Sequence, residues 1–246
     1  MKSAFQFVFA CYIAVLFLVT LFFFFPVIAI LSIPNKLPFR VMIWRVSRFW
    51  SRILLFCKGM NVSISGKFPI TGKNYVIVAN HLSYLDALNL FVVIPHYFRA
   101  LGKIEFSRIP VFGFIYRQTA VLVDRSSNGS RTRSMKSMWR VLEKECSIAI
   151  FPEGTFNETE LPLTTFYDGA FKLAASTNTE VLPIIFPDMK ERWHFSAWWK
   201  IWPGINRAII LDPIAPKGKD AIAINNLKKE VFEVMNNAFK EAHPLR

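Results

Sequence analysis

The stretch Tyr75-Val76-Ile77-Val78-Ala79-Asn80-His81-Leu82-Ser83-Tyr84-Leu85-Asp86 joins an apolar, β-branched run to a polar turn that carries a histidine and, five residues later, a carboxylate. Tyr75–Ala79 reads as a strand, and a helix is expected from about Ser83 to Val93. A strand passing into a helix through such a turn is the unit of an α/β fold, which places reactive groups at its strand ends.

The alternation extends along the chain. Further strands are expected at Val62–Ser65, Ala120–Val123, Ser147–Phe151, Val181–Phe186 and Ala208–Leu211. Helices are expected at Arg131–Lys144 and Gly169–Ser176, with a C-terminal packing helix bearing Leu227, Val231, Val234, Met235 and Ala238 at helical spacing. The fold class is therefore α/β, a mixed sheet flanked by helices. No Gly-rich nucleotide loop occurs, so nothing in the sequence calls for ATP or NAD.

The N-terminal part has a different composition. Ala4–Phe25 carries no charge and matches the thickness of a hydrocarbon core, until Pro26 bends or ends the helix. Crossing the bilayer and entering one leaflet both remain open, and a cleaved signal peptide is disfavoured by the length of the run. Residues 38–58 read as an amphipathic helix, with Met42, Val46, Phe49, Trp50, Ile53 and Cys57 on one stripe and Arg45, Arg48 and Arg52 on another. The alternative is a core helix whose arginines are its solvated face.

Nine Lys/Arg and no Asp/Glu precede Asp86 in a chain of 246 residues with net charge +13. Such a balance implies an anionic partner. The apolar run beside it favours a membrane surface over nucleic acid, on the cytoplasmic side. Residues 1–58 are thus expected to form a membrane-anchoring segment and 59–246 an α/β domain. Cys11, Cys57 and Cys146 are widely spaced in apolar sequence and read as buried thiols rather than a disulfide or metal set. Trp193, His194, Trp198, Trp199 and Trp202, with Arg192 and Lys200, form an aromatic cluster. It reads as a second membrane contact or as a partly buried loop.

Two constellations carry chemistry. In the first, Asp86 on the opening turn of a helix can fold back to one ring nitrogen of His81, leaving the other as the acceptor a general base needs. Ser83 with Asp86 also reads as a variant capping box. In the second, Phe151-Pro152-Glu153-Gly154-Thr155 follows a strand, and Gly154 permits close backbone approach.

With these residues the chain resembles the glycerolipid acyltransferase family, and within it the 1-acylglycerol-3-phosphate acyltransferases. His81 and Asp86 match its His-x4-Asp motif. Lys103, Ile109-Pro110, Phe112-Gly113 and Val123-Asp124-Arg125 match the second block and the approach to it, Phe151–Thr155 the third, and Val181–Ile184 the apolar fourth. The resemblance implies transfer of a fatty acyl group from an acyl carrier protein or coenzyme A thioester to a lysophospholipid hydroxyl at a membrane. His81 would be the base, Asp86 its orienting partner, and Lys103, Arg125, Glu153, Gly154 and Thr155 the contacts to the acceptor's glycerol phosphate. No cofactor or metal is implied, and nucleic acid is not a partner. Phe156 and Tyr167 stand where many relatives carry Arg and Lys, which opens the alternative of another acceptor such as a lyso-aminolipid. A non-catalytic lipid-binding protein is a third reading.

Overall fold

The strands are β1 (Met60–Ser65), β2 (Val76–Ala79), β3 (Phe98–Lys103), β4 (Ala120–Val123), β5 (Ser147–Ile150), β6 (Val181–Ile185) and β7 (Gly204–Ile210). The helices are α1 (Lys2–Ser32), α2 (Leu37–Cys57), α3 (Asp86–Val93), α4 (Phe112–Thr119), α5 (Asn128–Lys144), α6 (Gly169–Thr177), α7 (Met189–Arg192) and α8 (Ala221–Ala242). The structure is a computed structural model describing residues 2–69, 72–124 and 128–243. Among them the strands form one sheet in the order β1-β7-β6-β2-β5-β3-β4. β6, β2, β5, β3 and β4 are mutually parallel, and β7 runs antiparallel to β6 with β1 parallel to β7. The sheet is mixed, as expected.

β2 is central because both of its faces are apolar. Val76 and Val78 enter one core cluster with α5, α6 and α8, while Ile77 and Ala79 enter the other with α2 and α3. Burial on both faces is what a strand in a parallel, helix-covered sheet requires. The sequence reading missed β3 and α4. β3 carries Arg99, Gly102 and Lys103, and the Tyr116 hydroxyl of α4 lies where a Cβ on Gly102 would stand, so a larger residue there would have to displace it.

α1 runs through Pro26 without ending. Proline removes only one backbone donor, and the next turn is held by Ile28, fully buried in a cluster with Leu21, Phe24, Ile43, Trp50, Leu54 and Ile115. α1 touches the body at several levels: Phe5 on Trp202, Phe7 on Trp198, Phe17 on Phe112 and Phe25 on Phe114. Its opposite face, from Val8 through Tyr12, Val15, Val19, Phe22 and Val27 to Ile30, stays exposed.

α2 corrects the arginine stripe. Arg45 and Arg52 are exposed, but Arg48 turns inward and donates to the carbonyls of Pro95 (2.9 Å) and Val92 (3.2 Å) at the end of α3. The outward face of α2 mixes Met42, Phe49 and Phe56 with the two exposed arginines. Of the cysteines, Cys146 is buried, whereas Cys11 and Cys57 are only half-buried.

Candidate active site

The five parallel strands end on one edge of the sheet. β2 delivers His81 there, β3 ends on Lys103, β4 leads to Asp124, and β5 opens into Phe151–Thr155. β5 is the direct neighbour of β2, and β3 lies beyond it. At ~4.8 Å per strand, Lys103 leaves the sheet about 10 Å from the His81 strand. Lys103 is exposed. Arg125 lies outside the described residues.

His81 is fixed from several sides. Its Nδ1 is 2.9 Å from Oδ2 of Asp86, so Nδ1 carries the proton and Nε2 is the acceptor in the neutral ring. Among the described residues Nε2 has no partner, and the ring is about one-fifth exposed. The same Oδ2 accepts from the backbone of Leu82 (2.7 Å) and Ser83 (2.8 Å). The histidine-carboxylate pair and the capping-type bond to the Ser83 amide thus use one oxygen. α3 begins at Asp86 rather than at Ser83, so the carboxylate stands at the helix start with its chain neighbours as donors.

Asp86 is fully buried, and its Oδ1 has no partner among the described residues. Burial pushes its carboxyl above the usual range, opposed by the bonds from His81, Ser83 and Leu82. Ser83 is held on both sides of its hydroxyl. Its hydroxyl donates to the Trp193 carbonyl (2.8 Å) and accepts from the Leu85 amide (3.2 Å).

Glu153, expected at the acceptor, is buried and faces inward. Oε1 accepts the His81 amide (2.9 Å), and Oε2 accepts both the amide (3.0 Å) and hydroxyl (2.7 Å) of Thr164. Burial raises its carboxyl, with the Thr164 and His81 bonds opposing. Gly154 adopts φ +73° at the tip, and Thr155 is exposed beside it. Sequence reading gave no role to Thr164, since an eleven-residue separation from Glu153 leaves no local signal.

Aromatic rings complete the wall. Phe151 stacks on the imidazole and Phe156 leans on it at 4.3 Å between centroids. Tyr84 bridges Phe156 and Trp193. Phe156 therefore places an apolar ring beside the His81 imidazole.

The acyltransferase family model matches residues 61–187, just over half of the chain and all of the strand ends described above. The chain belongs to the acyltransferase family. An uncharacterized acyltransferase of Schizosaccharomyces pombe is 31% identical over 173 residues, 69% of this chain and 61% of that one. The 1-acyl-sn-glycerol-3-phosphate acyltransferase alpha of Mus musculus is 27% identical over 187 residues, 74% of this chain and 65% of that one. The same-named enzyme of Saccharomyces cerevisiae is 27% identical over 145 residues, 58% and 48% of the two chains. This family member thus spans about half to two thirds of the length of these curated relatives. The crystal structure of the 1-acyl-sn-glycerophosphate acyltransferase PlsC of Thermotoga maritima matches with a TM-score of 0.81 at 19% identity, over 100% of this chain and 98% of that one. At that identity the likeness is one of fold.

Proposed function

We propose that this family member transfers a fatty acyl group from a thioester of acyl carrier protein or coenzyme A to the free hydroxyl of 1-acylglycerol-3-phosphate, forming phosphatidic acid. The observation that carries the proposal is the His81–Asp86 pair at the strand-end edge, with Nδ1 engaged and Nε2 without a partner among the described residues. The names of the mouse and yeast relatives support the choice of acceptor.

The chemistry follows from the geometry. Nε2 takes the proton of the acceptor hydroxyl as its oxygen attacks the thioester carbonyl. The tetrahedral intermediate collapses, the C–S bond breaks, and the imidazolium returns the proton to the departing thiolate. Asp86 holds the ring orientation and stabilises the transient imidazolium. Positioned proton transfer supplies about 10²–10⁴-fold. Activation resides in the donor thioester, and the scheme uses no further cofactor.

Glu153 acts in this scheme as a positioning residue, clamping the His81 amide to Thr164. Lys103, Arg125 and the Gly154-Thr155 tip are the proposed contacts to the acceptor phosphate. Arginine suits the task because its planar fork makes paired, charge-assisted bonds. Residues 1–58 are proposed to seat the enzyme on the cytoplasmic face of a membrane. α1 is long and apolar enough to cross, but its contacts with the body along its length favour lying in one leaflet with the exposed face toward lipid.

Phe156 favours one second reading, the same transfer to a lysolipid lacking a terminal phosphomonoester, because a ring beside His81 offers phosphate no charge. Incubating the purified protein with a lysolipid panel and both thioester donors, and weighing the products, separates the two. The first reading expects phosphatidic acid as the main product. Acylation of only non-phosphomonoester lysolipids would favour the second, and no acylation of any would favour a non-catalytic lipid-binding protein.

A further inference from the structure

The segment from Trp193 to Trp202 is a closed loop that the chemistry above does not use. A bridge between Trp193 and Ile201 closes it, and the Trp202 amide bonds the Arg192 carbonyl at 2.8 Å. Its foot is fixed to the end of α2: the Gly204 amide donates to the Gly59 carbonyl at 3.0 Å, and the ammonium of the buried Lys58 lies 4.9 Å over the Trp193 ring. Its tip is the reverse of a buried hairpin. Trp198 is 46% and Trp199 42% exposed, with Lys200 exposed between Trp199 and Ile201.

The loop joins two other parts of the molecule. Phe5 and Phe7 of α1 rest on Trp202 and Trp198, at 5.5 and 5.6 Å between centroids, so its indoles adjoin two phenylalanines that are themselves half exposed at the N-terminal end of α1. At its foot, the Trp193 carbonyl takes the Ser83 hydroxyl and its ring touches Tyr84, within the turn that carries His81. Exposed indoles beside a lysine and two exposed phenylalanines have the composition of a segment at the headgroup level of a bilayer. Its acidic neighbours do not oppose this, since Glu191 pairs with Arg192 and Glu160 with Lys190.

We infer that Trp198 and Trp199 insert at the lipid interface and seat the mouth of the active site on the membrane surface. The inference rests on the membrane attachment proposed above and names a second contact for it, separate from α1 and α2. The acceptor then reaches the Tyr84 and Phe156 wall from the interface, without passing through water.

The test uses the full chain with vesicles of phosphatidylcholine and phosphatidylglycerol whose acyl chains are brominated near the headgroup, which quench tryptophan emission on contact. Wild-type emission should be quenched, and Trp198→Ala/Trp199→Ala should lose that component and bind vesicles about 10-fold more weakly. Trp139→Phe should leave quenching unchanged, because α5 packs on the other face of the sheet. KM for vesicle-borne lysophosphatidic acid should rise in the double variant, with turnover of a dispersed short-chain substrate unaltered. If the double variant fails to fold, Trp199→Asp serves instead, since its ring contact is Trp198 alone among the described residues. Quenching that persists in the folded variant would overturn the inference. So would loss of self-association in place of loss of vesicle binding, which would assign the loop to a second protein copy. The quenching arm needs no turnover, so an inactive wild type would overturn the proposed reaction and leave the loop's lipid contact standing on its own result.

Discussion

The imidazole of His81 lies flat on the ring of Phe151, with centroids 4.1 Å apart and planes inclined by 11°. The bond to Asp86 sets which nitrogen faces outward, and the stack sets the tilt of the ring. Phe151→Leu keeps apolar volume but removes the flat support. It should lower kcat by about 10- to 100-fold, the scale at which a misplaced catalytic group is felt, with little change in KM. Steady-state kinetics on the folded variant checks this, and an unchanged kcat would show that Asp86 alone positions the ring.

Asp86→Asn separates catalysis from stability. The amide oxygen can accept the same three donors, so the fold should persist, while loss of the negative charge should cost about 10²-fold or more in kcat. The folded carboxyl lies above its unfolded value through burial. Its contribution to stability is therefore present at pH below the ordinary carboxylate range and is lost as pH rises through the folded value. At neutral pH the variant should melt no lower than the wild type. A melting point several degrees lower at neutral pH would contradict this account.

Glu153→Gln tests the inward role of that carboxylate. A glutamine would set an amide donor against the His81 amide or the Thr164 amide, leaving one buried donor without an acceptor at a cost of about 1–3 kcal/mol. Thermal stability and kcat should fall together, with KM for the acceptor nearly unchanged. A selective rise in KM with normal stability would return Glu153 to the substrate contact expected from the family motif.

The arginines of α2 should divide by environment. Arg48→Ala should destabilise the fold by about 1–3 kcal/mol, because it removes charged donors from the carbonyls at the end of α3. Arg45→Ala/Arg52→Ala should leave the melting temperature unchanged and weaken binding to anionic vesicles, measurable by sedimentation. Equal effects of the two changes would mean that α2 makes no lipid contact.

What the sequence disclosed followed from where each signal was local. β2, β4, β5 and β6 are short apolar runs, and their strand character was readable. The His81–Asp86 bond was readable because one turn of chain joins the two residues. β3 was hidden because Arg99 and Lys103 interrupt it and Gly102 answers to Tyr116, a residue of α4. That the helix continues past Pro26 rather than ending there is not legible locally, because packing of Ile28 on α2 outweighs one lost backbone bond. The inward bonds of Glu153 are not legible because its partners, the His81 amide and Thr164, are distant in sequence. Arg48 was read as part of a lipid-facing stripe for the same reason, since Val92 and Pro95 are brought to it only by the fold.

The most direct measurement is turnover by His81→Ala, checked for folding by its melting transition, with lysophosphatidic acid as acceptor and an acyl thioester as donor. The account predicts a folded protein whose kcat falls by at least ~10²-fold, with little change in acceptor KM. Near-normal formation of phosphatidic acid by the folded variant would contradict it.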